Sequence, residues 1–269
     1  MRKIAVYGKG GIGKSTMTSS IAAAVANMGY KVVQIGCDPK ADSTINLTGG
    51  KRVKPIIQYL SEHGECESLS EISEVGYKGI LCFEAGGPSP GMGCAGRGIV
   101  TAFELLDDFK LFEEFKADFV FYDVLGDVVC GGFAMPMRNG YADEVIIITS
   151  GEKMALYAAE NIKCAVDTFG KRNNVALLGV ILNKRNVVDE ELILEKFVKE
   201  HKTELIGIIP RDPHVQAYEN NNMTVIEGDA NLEVSQEIIN IAQKIVNGKE
   251  VTNEYLNKSD IFNSYKSAT

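Results

Sequence analysis

A single α/β domain built on a doubly wound, mostly parallel sheet is the fold this sequence predicts, and three observations predict it. Short β-branched runs alternate with stretches of helical periodicity from the first residues onward, as βαβ units require. The strand candidates are continuously apolar, which suits strands covered on both faces. The first of them runs straight into a glycine-rich loop that opens a helix.

Taken in order, KIAVY is the first strand candidate. A helix follows with Met17, Ile21, Ala24, Val25 and Met28 on one face, and then the strand KVVQIG. Further strands are expected at GILCF (79–83), DFVFYDV (118–124), EVIIIT (144–149), VALLGVIL (175–182) and ELIGIIP (204–210). Helical patterns lie around 53–63, 98–114, 153–169, 189–201 and 231–246. With no internal repeat and no low-complexity linker, residues 1–250 read as one domain and the polar stretch 251–269 as a C-terminal tail.

The chain has 269 residues, 45% of them hydrophobic, and a formal charge of −8. An acidic chain offers no basic field to hold a phosphate backbone or an anionic membrane surface, so neither nucleic acid nor membrane is expected as a partner. No apolar run approaches the roughly 18 residues of a membrane span, and the opening MRKIAVYG is too short for a signal peptide. A soluble, cytoplasmic protein is expected. Its six cysteines (37, 66, 82, 94, 130 and 164) are therefore read as reduced thiols.

The stretch GKGGIGKST, residues 8–16, carries the strongest local signal. Gly8, Gly13, Lys14 and Ser15 satisfy the P-loop pattern between a strand and a helix. In such a loop the backbone of Gly8, Lys9, Gly10, Gly11, Ile12 and Gly13 turns N–H groups toward phosphates. Lys14 reaches the β/γ oxygens, Ser15 holds Mg2+, and Thr16 continues the helix N-terminus. ATP and Mg2+ are the expected ligands, in a P-loop nucleotide hydrolase. Ligands of open α/β sheets sit at the carboxyl ends of strands. Asp38 and Asp42 in GCDPKADST, and Asp123 and Asp127 in DVLGD, fall at two such ends. Carboxylates there can hold Mg2+ through water and orient an attacking water. A phosphate loop needs only Lys14, so Lys9 calls for a separate explanation.

Two cysteines stand apart. Cys94 lies in GGPSPGMGCAGRG and Cys130 in DVVCGGF, three residues after Asp127. Flanking glycines permit close backbone approach and leave N–H groups free to bond sulfur, a setting suited to an iron–sulfur ligand. Cys82 and Cys164 are read instead as small buried hydrophobes, Cys66 has no visible role, and Cys37 is ambiguous. A cubane cluster needs about four thiolates. Either the chain recruits Cys37 and another cysteine, or two copies each give a pair across a two-fold axis.

Along nearly its whole length the sequence resembles the nitrogenase iron proteins and the nitrogenase-like reductases. The match rests on YGKGGIGKST, GCDPKADST, GMGCAGRG, FYDVLGDVVCGGFAMP and SGEKMALYAAENI. The resemblance implies a homodimeric ATPase with one 4Fe-4S cluster bridging the subunits through Cys94 and Cys130. It implies electrons received from ferredoxin or flavodoxin and passed to a two-subunit nitrogenase-like catalytic component. Asp38 to Asp42 would form the first nucleotide-sensing switch, and Asp123 to Asp127 the second. Lys9 would be the signature lysine of the deviant Walker A loop, which contacts phosphate across the dimer interface. Arg97 would lie at the docking face. Asn183, Pro210, Arg211, Asp212, Gln216 and Glu219 would lie on the adenine side.

The partner-facing residues depart from those of nitrogenase members. INLTGGKR follows ADST, Ser89 stands where a glutamate is common, and the C-terminal extension is short. QIGCDP and STINLTGG look closer to reductases serving tetrapyrrole reduction, in the F430 or protochlorophyllide pathways. That is the alternative to nitrogen fixation. Readings of another class are an iron–sulfur scaffold and a partitioning-type ATPase switch, which shares Lys9 and the loop.

Overall fold

The β-branched runs assemble into one eight-stranded sheet in the order β3-β4-β2-β5-β1-β6-β7-β8. The strands are β1 (Arg2–Tyr7), β2 (Val32–Cys37), β3 (Ser73–Val75), β4 (Leu81–Glu84), β5 (Phe119–Val124), β6 (Glu144–Thr149), β7 (Ala176–Asn183) and β8 (Leu205–Ile209). All pair in parallel except β3, which runs antiparallel to β4 at one edge. The computed structural model describes residues 1–87, 95–126, 134–138 and 140–248.

The connecting helices are α1 (Lys14–Asn27), α2 (Ile56–His63), α3 (Ala95–Asp108), α4 (Leu111–Phe115), α5 (Met135–Arg138), α6 (Lys153–Asn173), α7 (Glu190–Glu200), α8 (Pro213–Glu219), α9 (Val225–Gly228) and α10 (Glu233–Asn247). The long helical pattern at 98–114 divides into α3 and α4. Lys110 between them adopts a left-handed φ of 49°, which an α-helix cannot continue through. The edge strand β3 was not foreseen, because three residues, SEV, carry too little periodicity to read.

The central strands bury both faces, while the edge strand β3 buries neither. Along β1, Ile4 and Val6 enter a core shared with Ile21 and Val25 of α1 and with Ile238 and Ile241 of α10. Ala5 and Tyr7 enter the opposite core, with Phe103 of α3, Ile162 of α6 and Leu194 of α7. The two-residue period of the strand thus sends alternate side chains into two helix layers. Because seven strands run the same way, their carboxyl ends share one edge of the sheet. The loops that start at residues 8, 38, 85, 125, 184 and 210 all leave from that edge.

Candidate nucleotide site

β1 delivers the glycine-rich loop into the centre of that edge. Gly8 passes against β6 so closely that a β-carbon would lie 2.2 Å from the Ile148 carbonyl oxygen. Gly13, with φ 92°, makes the left-handed step from which α1 starts. Among the described residues no side chain caps α1, and no acidic residue stands in its first turn, so its N–H groups and positive dipole end face the loop. Lys14 is buried beneath the loop, while Lys9, Gly10 and Gly11 are exposed on top. One lysine therefore belongs to the inside of the site and the other to its rim.

The loop is braced from β7. The Asn183 side chain donates to the Ile12 carbonyl at 2.7 Å, and Arg185 donates to the Gly11 carbonyl at 2.6 Å. Satisfying these two carbonyls from outside leaves the inward N–H groups for a ligand. Arg185 was missed in the sequence, where only its place just after Asn183 at a strand end hinted at it.

Asp123, the penultimate residue of β5, is 2% exposed beside Ser15 and Ser43. Burial raises its pKa; the Lys14 charge and hydrogen bonding to Ser15 and Ser43 oppose that, and Asp38 adds to it. Its Oδ1 has no hydrogen-bond partner among the described residues. An orphaned buried carboxylate oxygen next to the hydroxyl of a P-loop serine fits a hydrated Mg2+. Asp38 is half-buried and accepts from the Lys40 N–H at 2.9 Å. Asp42 is exposed. Asp127 lies outside the described residues, but its neighbour Gly126 does not. A β-carbon on Gly126 would stand 1.8 Å from the Gly8 carbonyl oxygen, so the end of β5 presses directly on the phosphate loop.

A second buried carboxyl, Glu84 at the end of β4, also escaped the sequence analysis. It is fully buried, accepts from the Thr44 N–H at 2.8 Å and from Thr44 Oγ1 at 2.7 Å, and leaves Oε2 unpartnered. Burial raises its pKa to about 8 against the lowering effect of Thr44, with the Asp123 and Asp42 charges adding to the rise. Gln34 on β2 donates to Ser19 Oγ at 2.9 Å and to the Ser43 carbonyl at 3.2 Å, pinning the same loop from below.

The six residues assigned to the adenine side divide. Asn183 serves the phosphate loop, as described. Glu219, at the end of α8, accepts from Thr16 Oγ1 at 2.5 Å and from Asn46 at 3.3 Å. Asp212 caps α8 through the His214 N–H at 2.8 Å. Pro210 is half-buried, and Arg211 and Gln216 are exposed beside them.

Comparison with known proteins identifies the lineage. Residues 2–266 match the family model described as 4Fe-4S iron sulfur cluster binding proteins, NifH/frxC family. The chain belongs to this family. Nitrogenase iron protein 1 of Methanobacterium ivanovii is 48% identical over 249 residues, covering 91% of this chain and 90% of that one. A NifH/frxC member is a nitrogenase reductase-like, ATP-dependent oxidoreductase component. Among solved structures, the MinD cell division protein of Aquifex aeolicus superposes with a TM-score of 0.70 at 23% identity, over 93% of this chain and 98% of its own. MinD of Pyrococcus horikoshii, complexed with Mg-ADP, gives 0.72 at 19% over 91% and 95%. At these identities the likeness shows the fold, that of P-loop ATPases.

In this NifH/frxC chain Cys94 and Cys130 lie outside the described residues. The strands that lead to them do not: β4 and β5 flank β2 and end on the edge that carries the phosphate loop. Cys37 is fully buried in the core. Burial pushes its thiol well up, and the Asp123, Glu84 and Asp38 charges push the same way. Cys82 is buried as expected, but Cys164 is exposed. Helix α6 buries Ala159, Ile162 and Val166, and residue 164 lies about 200° around the helix from Ile162. Arg97, near the start of α3, is exposed. Among the described residues no helix is long and apolar enough to cross a membrane.

Proposed function

We propose that this chain works as a homodimer in which MgATP sets the geometry of a 4Fe-4S cluster shared by Cys94 and Cys130 of both subunits. The observation that carries the reading is the contact of Gly126 with the Gly8 carbonyl. It joins the phosphate loop to the segment holding Asp127 and, three residues later, Cys130. A movement of the loop backbone when phosphate binds is passed to Gly126, the residue that leads into that segment. The donor set fits such a cluster: two glycine-flanked thiols per chain make four per dimer, while Cys37 is held neutral and inward.

When bound, the cluster supplies one low-potential electron at a time. Lys14, Ser15 and the α1 N-terminus bind the nucleotide phosphates and Mg2+, Asp123 and Asp38 orient water at the metal, and Asp127 senses the γ-phosphate. Lys9, exposed at the rim, reaches the nucleotide of the other subunit. Pro210, Arg211, Asp212, Gln216 and Glu219 gather at the adenine side. Arg97 lies on the docking face for a two-subunit nitrogenase-like catalytic component, and ferredoxin or flavodoxin supplies electrons. ATP hydrolysis governs dimer geometry and complex lifetime, because the phosphate bond has no electronic role in the transfer.

The test is iron content and electron paramagnetic resonance of dithionite-reduced protein purified without oxygen, with and without MgATP. About four irons per dimer and a signal altered by MgATP are expected. Cys94→Ser and Cys130→Ser should each lose the iron. Full iron in either variant, or a cluster indifferent to MgATP, would point to a scaffold or a plain ATPase switch.

A further inference from the structure

Glu84 and Asp123 stand on the same row of the sheet, on either side of Gly36: β2 pairs Gly36 with Glu84 of β4 and with Asp123 of β5. Paired residues of parallel strands point to the same face. Gly36 has no side chain, and the space above it is taken by Glu84. A β-carbon there would lie 1.9 Å from Glu84 Oε2 and 2.7 Å from the Ser43 β-carbon. Both carboxyl groups are buried, and each keeps one oxygen without a partner among the described residues. The other Glu84 oxygen takes both the N–H and the hydroxyl of Thr44. Glu84 is thus an unused acid behind the phosphate site, ending the strand that leads toward Cys94 and bonded to the loop that carries Asp38.

We propose that Glu84 is a positioning residue for MgATP, holding the end of the 38–44 loop through Thr44 so that Ser43 and Asp123 stand ready beside Ser15. This rests on the ATP-dependent reading above. Within the 38–44 loop Ser43 is held from below by Ser19 and Gln34, Asp42 is exposed and Asp38 accepts from the Lys40 N–H of its own turn, so the grip on Thr44 at the loop's end falls to Glu84. Without Glu84 the loop must be ordered when MgATP binds, and affinity falls by that ordering cost. The role requires a hydrogen-bond acceptor and not a negative charge, because one Glu84 oxygen accepts both Thr44 bonds.

The experiment titrates fluorescent ATP, with and without Mg2+, into Glu84→Gln, Glu84→Leu and Thr44→Val proteins, alongside thermal melts. The amide should hold MgATP within about threefold of wild type, and the leucine, which leaves both Thr44 donors unsatisfied, should weaken it about tenfold. Thr44→Val should weaken binding in the same direction, and the double variant Glu84→Leu/Thr44→Val should add little to Glu84→Leu. If Glu84→Leu fails to fold, the Gln and Val variants decide alone. Wild-type affinity in Glu84→Leu or Thr44→Val overturns the assignment, as does a Glu84→Gln protein as weak as the leucine variant. Wild-type protein that binds no MgATP instead overturns the nucleotide reading itself, and the assignment with it.

Discussion

The Asn183 side chain donates to the Ile12 carbonyl at 2.7 Å and fills the place beside Gly13 where a β-carbon would lie 2.7 Å from its Nδ2. The amide and the absent side chain are one device: glycine permits the left-handed step, and asparagine holds the result. Asn183→Asp turns a donor toward a carbonyl into an acceptor, so it should repel the loop. MgATP affinity is expected to fall at least about tenfold, and Asn183→Ser less. Titration with fluorescent ATP checks the order, and equal losses in the two variants would sink the bracing role.

Gly126 offers a sharper probe of coupling. Because any β-carbon would collide with the Gly8 carbonyl, Gly126→Ala must displace either the phosphate loop or the segment that follows. The protein should fold and keep its iron, since the cysteines are untouched. Its reduced-cluster resonance should no longer respond to MgATP. A wild-type response in the alanine variant would remove the observation on which the proposed function stands.

These residues also show what the sequence could and could not reveal. The phosphate loop was legible because its chemistry is local, nine consecutive residues between a strand and a helix. Asp123 was legible from its place at a strand end. Glu84 was not, since its meaning depends on Gly36 lying between β4 and β5, a neighbourhood fixed by strand order and register. Arg185 likewise acts on a partner far along the chain, the Gly11 carbonyl. Cys164 was misread because an amphipathic pattern locates a helix more securely than its rotation. β3 was overlooked because an edge strand of three residues is made by its neighbour more than by its own composition.

Lys9 and Lys14 should separate in their preference among nucleotides. Lys14 is buried under the loop and Lys9 is exposed at its rim. Lys14→Gln removes a charge that every bound phosphate chain feels, so ATP and ADP should both weaken strongly. On the proposed function Lys9 reaches the other subunit's nucleotide, so Lys9→Gln should weaken ATP about tenfold and ADP much less. Parallel titrations with the two nucleotides measure the ratio. An unchanged ATP to ADP ratio in Lys9→Gln would make it an ordinary surface lysine.

The buried carboxyl of Glu84 predicts how stability varies with pH. Burial raises its pKa from an ordinary 4.5 to about 8. Below about 4.5 the folded and unfolded chains both hold the proton, so this group makes no pH-dependent contribution. Between 4.5 and about 8 the folded protein keeps a proton that the unfolded chain has released. Stability must then fall as pH rises through that window, by at most about 1.4 kcal/mol per pH unit for one proton, and level off above it. Asp123, also raised by burial, contributes in the same direction starting from a lower pH. Urea unfolding of the wild type and of Glu84→Gln at pH 5, 6.5 and 8.5 separates the two groups. The amide cannot titrate, so the loss of stability between pH 6.5 and 8.5 should shrink in that variant. An undiminished loss would mean that Glu84 is ionised in the fold, with its charge compensated by a group other than Thr44.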